Sequence, residues 1–596
     1  MFAEENSERA KREQDAPITV IIGNPPYNVG QKNESDDNKN RVYGVVDKRI
    51  SQTYAKASKA SSTTKLNDAY VKFFRWATDR LQGRDGIVAF VSNNSFLGQI
   101  AFDGMRKHLT EEFTTIYHLD CGGNVRKNPG LSGTTHNIFG IQVGVGITIL
   151  VRRKTETSKT QIFYYALPLM ARTSEKLQAL TVWGSIQNVV WQNLTPDAKQ
   201  NWLTEGMHVE YDAFLPLGTK EAKAAKGDAI FRLYSLGVAT NRDAYAYDFQ
   251  TKLLREKANI YIDIYNGAVD KYKRMGNKTP PENAIDFFDK RIKWTRQTIA
   301  ALSRLKYSEF QETHLRNSLY RPFSRNMLFY DDFWNEEPRL FQYIFSVPES
   351  EHENSAICIS GVGTERPTAV FVTHYIPDLN FFGPGTVPQW FPFYVYDKDG
   401  TNRRENITDW GLKQFQAAHG ADVTKWDIFY YVYALLHSPA YRIKYAENLK
   451  RELPRIPVTP NETPDIFRSY VAIGEQLLKL HRDYEDAVEY RLQAIEDRTV
   501  VYNWRVEKMR LSKDKTQIVV NESLTLGGIP PEVFDYRLGN RSALEWVLDQ
   551  YQVTTDKRSG IVSDPNREED HDYIVRLIGK VITVSLETVR LVKQLV

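Results

Sequence analysis

The sequence predicts an α/β fold: an open, mostly parallel sheet over about the first 160 residues, then a mixed α/β region and a helical end. Three observations carry this. Short β-branched runs recur near the front, an amphipathic helical segment separates two of them, and aromatic and proline punctuation thickens from about Gln161. Ile18-Thr-Val-Ile-Ile-Gly23 and Gly86-Ile-Val-Ala-Phe-Val91 have the continuous apolar character of buried strands. Between them, Leu66, Tyr70, Phe73, Phe74, Ala77 and Leu81 fall at helical spacing, predicting a helix over 66–81. A helix through Met105 and Leu109, a strand over Phe113–Leu119 and one or two strands over Ile138–Val151 follow. Strands alternating with helices at this spacing argue for a parallel sheet. The polar stretch Gln31–Asn40 reads as a loop.

Further on, Ala369-Val-Phe-Val372 reads as a short strand, Trp426–Leu453 as helical, and Pro454, Pro457, Pro460 and Pro464 as a linker. A helix is expected over Phe467–Ile495, a strand and turn over Val519–Pro531, and helices over Arg541–Tyr551 and Tyr573–Leu595.

With 596 residues, a normal core forms without metals or disulfides. The two cysteines, Cys121 and Cys358, exclude a disulfide framework and a four-cysteine zinc site, and fit a reducing cytoplasm. The apolar run Val143–Val151 is half the length of a membrane span, and Met1–Pro17 lacks the apolar stretch of a signal peptide. Basic and acidic side chains nearly balance, 78 against 74, so any contact with nucleic acid must come from a local patch.

Gly23-Asn24-Pro25-Pro26-Tyr27 directly follows the first strand, where open α/β sheets bind ligands. The Asn24 amide oxygen and the Pro25 carbonyl offer two acceptors for the two hydrogens of an exocyclic amine. Pro25 and Pro26 stiffen the turn and remove backbone donors. Tyr27 offers a face on which a planar base stacks. A base inside a duplex reaches such a pocket only by rotating out of the helix.

This arrangement resembles motif IV of the amino-methyltransferases that modify adenine N6. The same motif serves glutamine methylation of release factors, so it does not by itself select DNA. Further blocks do. Ala16-Pro-Ile-Thr-Val-Ile-Ile-Gly-Asn-Pro-Pro-Tyr27, Arg75-Trp-Ala-Thr-Asp-Arg80, Gly122-Gly-Asn-Val-Arg-Lys127, Gly237-Val-Ala-Thr-Asn-Arg-Asp243 and Tyr320-Arg-Pro-Phe323 occur in order. They are followed by Tyr430-Tyr-Val-Tyr-Ala-Leu-Leu-His-Ser-Pro439, Leu453-Pro-Arg-Ile-Pro457 and Arg541-Ser-Ala-Leu-Glu-Trp-Val547. Together they resemble the C-terminal portion of the type ISP family of single-chain restriction–modification enzymes. Members of that family combine nuclease, helicase-like ATPase, N6-adenine methyltransferase and target-recognition domains.

The resemblance implies a partial Rossmann-like methyltransferase sheet over 1–160, a target-recognition domain over 161–425 and its helical C-terminal part over 426–596. It implies S-adenosylmethionine as methyl donor, double-stranded DNA as partner, and Asn24, Pro25, Pro26 and Tyr27 as the catalytic motif. In that family a glycine-rich loop and an acidic residue ahead of the motif hold the cofactor. Here 23 residues precede Asn24, with Gly23 their one glycine. The expectation is therefore a chain inactive alone, needing an upstream methyltransferase, helicase and nuclease polypeptide or N-terminal region. The alternative is a non-catalytic DNA-binding specificity module. Gly144-Val-Gly146 and Gly361-Val-Gly363 lack a third glycine at the right step for a cofactor loop.

Candidate DNA contacts are Asn124, Arg126 and Lys127 beyond a strand end, then Thr240, Asn241 and Arg242 beside Tyr245 and Tyr247. Arg316, Arg321 and Arg325 join them beside Tyr320 and Phe323. Arg and Asn make bidentate bonds to bases. His481-Arg-Asp483 is expected on a helix surface, and Glu349, Glu351, His352 and Glu353 in a polar loop without a metal-binding partner. Tyr430, Tyr431 and Tyr433 are expected to pack a helix, and Cys121 lacks a His partner for nucleophilic work.

Overall fold

A computed structural model describes residues 8–9, 11–13, 15–26, 43–60, 63–124, 135–155, 159–276, 279–364, 366–459 and 464–595. The expected first strand forms β1 (Val20–Gly23), parallel to β2 (Gly86–Asn93), with Val20 opposite Ile87 and Gly23 opposite Phe90, but it is not buried as expected: it lies at the sheet edge with Val20 and Ile22 exposed. β3 (Thr115–Asp120), β4 (Val145–Arg152), β5 (Gln161–Ala166) and β6 (Gln192–Leu194) complete a six-stranded sheet in the order β1-β2-β4-β3-β5-β6. β4 runs antiparallel to both β2 and β3, and β6 antiparallel to β5. Four strands thus run one way and two oppose them.

The chain divides into two compact units, 1–205 and 206–596. The first runs past residue 160 because β5 pairs in parallel along the whole of β3. The aromatic texture that begins at Gln161 belongs to this strand. Phe163 stacks on Tyr117 at 4.8 Å, and Tyr164 on His118 at 6.2 Å. Cross-strand aromatic pairs of this kind stabilise sheets.

The helices of the first unit include α1 (Gly44–Ile50), α2 (Ala69–Arg80), α3 (Asp103–Glu112) and α4 (Thr173–Trp183). α2 starts three residues later than its apolar spacing suggests. Thr64–Asn67 form a 3-10 turn, and Asp68 is extended (ψ 140°) at the N-cap. Tyr70, Phe74, Ala77 and Leu81 are fully buried against Phe90, Phe96, Phe102 and Met105, whereas Phe73 stays exposed. Arg75 lies inside this core, ion-paired to Asp79 at 2.7 Å and Glu112 at 3.0 Å.

Among the described residues the second unit holds three four-stranded sheets, of which two bear on the expected DNA contacts. One joins 376–377, 315–321, 324–329 and 247–248; the other joins 370–373, 356–359, 389–392 and 235–236. Its helices include α5 (Thr251–Arg274), α6 (Lys425–His437), α7 (Pro464–Arg482), α8 (Ala543–Gln550) and α9 (Tyr573–Val592). α6 and α7 pack so closely that a Cβ on Gly474 would lie 2.0 Å from the Tyr430 carbonyl oxygen. Tyr431 and Tyr433 are buried on this helix, as expected. The helix expected over 467–495 ends instead at Arg482, where Asp483 leaves helical geometry (φ −106°, ψ 36°) and Tyr484 enters the core edge-on to Phe323. Residues 493–496 are a strand.

His481, expected on a surface, is fully buried between the Tyr433 hydroxyl (2.6 Å) and Thr588 (2.8 Å) and stacks on Tyr536. Among the described residues no helix is long and apolar enough to cross a membrane.

Candidate active site

β1, β2, β3 and β5 run the same way, so their carboxyl ends at Gly23, Asn93, Asp120 and Ala166 share one edge of the sheet. Gly23-Asn24-Pro25-Pro26 leaves β1 at that edge. Pro25 is buried and anchors the turn, while Asn24 is exposed and keeps its amide accessible. Gly23 sits against Phe90, whose ring would lie 3.3 Å from an added Cβ. Tyr27 lies outside the described residues.

One carboxylate ties the neighbouring strand ends together. Asp120 Oδ1 accepts from Asn94 Nδ2 at 2.6 Å and from the Gly122 N–H at 2.7 Å, and Oδ2 accepts from the Tyr164 hydroxyl at 3.2 Å. Burial and the adjacent Asp120 charge hold the Tyr164 phenol well above its ordinary range, so it stays a neutral donor. His118 is fully buried with Nδ1 2.9 Å from Thr148 Oγ1. Burial pushes its imidazole down to about 4 against the opposing pull of Asp120. Burial pushes the Cys121 thiol up to about 12, which rules out a thiolate nucleophile at neutral pH.

The next turn is rigid. Gly122 and Gly123 adopt φ of 62° and 78°. Lys176 Nζ donates to the carbonyls of Cys121 and His136, both at 2.6 Å, and Asn137 Nδ2 donates to Gly123 O at 3.1 Å. A Cβ on Gly123 would lie 2.8 Å from Asn137 Cα, so only glycine fits. This turn delivers Asn124, half-buried, beyond the end of β3; Arg126 and Lys127 lie outside the described residues.

Sequence reasoning missed Asn94 and Asp120. The signal for both was position: each is a polar residue at or just past the end of an apolar strand, facing the edge where ligands bind.

Three of the four glycines in the two glycine pairs are explained by packing, and Gly363 by its left-handed φ of 79°. A Cβ on Gly144 would lie 2.5 Å from Asn94 Oδ1, one on Gly146 2.4 Å from His118 Nε2, and one on Gly361 2.1 Å from Val387 O. Neither pair opens a helix among the described residues, so neither offers the free N–H groups of a nucleotide cradle. At this edge the exposed Asn24 side chain and the backbone of buried Pro25 offer hydrogen-bond acceptors. Among the described residues no cluster of His, Cys, Asp and Glu is placed to hold a metal ion.

In the second unit most of the expected DNA contacts are interior. Thr240 is buried and donates to Asp243. The Arg242 side chain is 1% exposed and bonds the carbonyls of Phe333 and Trp334 and the Thr295 hydroxyl (3.1 Å), with Glu336 at 3.6 Å. Arg321 is ion-paired to buried Asp378 at 2.6 Å and lies 3.8 Å from the Tyr320 ring centre. Arg316 bonds Glu351 at 2.8 Å, and that carboxylate belongs to a short helix, 348–353, in place of the expected polar loop. Arg325 pairs with Glu485 at 2.7 Å at the margin of the interior. A planar guanidinium stacks on aromatic rings and forks onto carboxylates in cores as readily as on bases. Asn241 differs: it is exposed, at φ 55°.

The Type ISP C-terminal specificity domain matches residues 229–578, and the Eco57I restriction-modification methylase family matches residues 2–125. No curated protein matches. Among solved structures, a nuclease-deletion mutant of the Type ISP restriction-modification enzyme LlaGI, in complex with a DNA substrate mimic, is 34% identical over 100% of this chain, with a TM-score of 0.86. The DrdV–DNA complex is 37% identical over 99% of it, with a TM-score of 0.84. The ATP-dependent Type ISP enzyme LlaBIII bound to DNA is 30% identical over 99%, with a TM-score of 0.87. This chain spans 54%, 58% and 38% of those three chains, respectively. The chain therefore belongs to the Type ISP restriction–modification family.

Proposed function

We propose that the chain supplies the methyl-acceptor site of a DNA adenine-N6 methyltransferase in its first unit and target recognition in its second. The observation that carries this reading is Asn24, exposed on a turn pinned by buried Pro25, at the edge shared by the ends of four parallel strands.

A flipped adenine places its exocyclic N6 against this turn. Its two N–H groups donate to Asn24 Oδ1 and the Pro25 carbonyl, which keeps the nitrogen lone pair directed away from the turn. As the N6–methyl bond forms and the methyl–sulfur bond breaks, N6 becomes cationic and releases one of its two hydrogen-bonded protons past Asn24 Oδ1 or the Pro25 carbonyl to solvent. Positioning and polarisation thus carry the step without a dedicated general base. Extruding the base costs about a few kcal/mol, and stacking on Tyr27 returns about 1–3 kcal/mol. S-adenosylmethionine supplies the methyl group when bound. The Asn94–Asp120–Tyr164 tie holds the neighbouring strand ends still. Pro26 completes the rigid motif, and Asn124, Arg126 and Lys127 are assigned to the DNA backbone beside it.

Duplex DNA is the assigned partner. The reading draws support from the specificity-domain match over 229–578 and from the DNA bound in the LlaGI, DrdV and LlaBIII structures. The test is transfer of labelled methyl groups from S-adenosylmethionine to duplex DNA by the enzyme at the full length of its relatives. Recovery of N6-methyladenine from the digested product supports the reading. Methyl groups found on cytosine or on protein would overturn it, and specific binding without transfer would favour a recognition module.

A further inference from the structure

Near the end of the second unit, β7 (Gln493–Glu496), β8 (Arg510–Leu511), β9 (Gln517–Val519) and β10 (Leu524–Gly527) form an antiparallel sheet in the order β7-β10-β9-β8. One face is core: Ile518 and Leu526 are buried and paired across strands. On the other face, Ile495, Thr525, Val519 and Arg510 align in one row across all four strands, with Gln493, Gly527 and Gln517 in the next. Ile495 and Val519 are 41% and 43% exposed, and Gln493, Gln517 and Arg510 are exposed too. Gly527 keeps the centre of the face low, with Ile495 Cδ1 3.3 Å from where its Cβ would stand.

We infer that this face enters the major groove of duplex DNA and that Gln493, Gln517 and Arg510 are specificity-determining side chains. The inference rests on the recognition reading above and gives it an address. Solvated sheet faces favour charged residues, and packed ones exclude free amides. Two amides, a threonine and two branched aliphatics on one face instead match what base edges present. Gln bonds adenine N6 and N7, Arg bonds guanine O6 and N7, and aliphatic groups meet the thymine methyl. Strands about 4.8 Å apart make the central part of the sheet about 10 Å wide, against a groove of about 12 Å.

Charge fits the same partner. Residues 491–519 carry seven basic and four acidic side chains. Arg505 and Lys515 are ion-paired, to Glu507 and Asp564 and to Glu545. No ion pair among the described residues engages Arg491, Arg498, Lys508, Arg510 or Lys513. Asp497 and Asp514 turn back onto Thr499 and Ser512. The loop carrying Arg498 is fixed beforehand, because Asn521 Nδ2 donates to the carbonyls of Asn503 and Arg505, both at 2.9 Å.

The test uses the full chain and a pool of duplexes with a randomised core, sequencing the bound fraction and measuring affinity against salt. Gln493→Ala and Gln517→Ala should each relax discrimination at one base position by about 10-fold while bulk affinity stays within about twofold. Arg498→Gln and Lys513→Gln should weaken all duplexes alike and lower the salt slope by about one per charge removed. An unaltered chain that enriches a motif, with Gln variants that enrich the same motif equally well, overturns the assignment and leaves the recognition reading standing. An unaltered chain with no preference overturns both. A dimer in sedimentation that Val519→Lys dissociates would make the face a contact between copies, which also overturns it.

Discussion

The carboxyl edge of the first sheet and the arginines of the second unit's 242–321 region hold their polar side chains in opposite ways. At the carboxyl edge of the first sheet, Asp120 binds Asn94, Gly122 and Tyr164, strand end to strand end, and Asn24 stays exposed on its turn. In the second unit, Arg242, Arg316 and Arg321 point inward onto carbonyls and carboxylates. The first pattern fixes a frame and leaves one group for a ligand; the second consumes its donors in folding. A side chain able to bind DNA is therefore identified by whether the fold has already satisfied it, and residue type alone does not report this.

The widest test of that contrast is Arg321→Ala. It strands Asp378, which burial already pushes up to about 6 with its partner present. Removing one member of a buried pair costs about 3–5 kcal/mol, so urea unfolding should shift strongly. The double variant Arg321→Met, Asp378→Leu should recover much of the loss. An Arg321→Ala protein of unchanged stability that has lost DNA specificity would return Arg321 to the surface and break the comparison.

Next in size is Asn24→Ala. The residue is exposed, so unfolding should move by less than about 0.5 kcal/mol. Methyl transfer should fall about 10²-fold or more, the usual loss when a transition-state hydrogen-bond partner is removed. Transfer within a fewfold of the unaltered enzyme would sink the assignment of Asn24.

How much of this was readable in advance follows the range of the interactions. Ile18–Gly23, Gly86–Val91 and Phe113–Leu119 stand out as apolar, β-branched runs, although β1 is an edge strand with Val20 and Ile22 exposed, and Asn24 stands out because the motif follows that run. The Asp120 tie was hidden because it joins residues 26 and 44 positions apart. The aromatic residues of β5 read like those of the second unit, whereas β5 pairs along β3 within the first compact unit. The helical spacing runs on past Arg482 because Tyr484 is apolar enough to extend it, although Tyr484 leaves α7 to fill the core. Arg242 and Arg321 read as surface groups because the carbonyls, hydroxyl and carboxylate that hold them across the fold lie 53 to 92 residues away.

A smaller effect tests the frame itself. With His118 held at about 4 in the fold and about 6.5 when unfolded, both states are neutral above pH 6.5. As pH falls from 6.5 towards 4, the unfolded chain binds a proton that the fold refuses, and the His118 contribution falls by about 1.4 kcal/mol per pH unit. Histidine NMR should find its midpoint near 4, and Asp120→Asn should lower it further by removing the one opposing pull. A midpoint near 6.5 would mean that the ring is solvated and the strand ends are not locked together.

The smallest effect falls on the one residue of the 240–242 block that the interior does not claim. Asn241 is exposed in the left-handed region, φ 55°, which Gly adopts without strain. Asn241→Gly should therefore keep stability within about 0.5 kcal/mol, while Arg242→Ala beside it costs several times more. If Asn241 touches DNA, the glycine variant should bind its target about two- to fivefold more weakly at unchanged stability, a separation that its buried neighbours cannot show. Equal binding by the two proteins would leave the whole block structural and move recognition in the second unit to other surfaces.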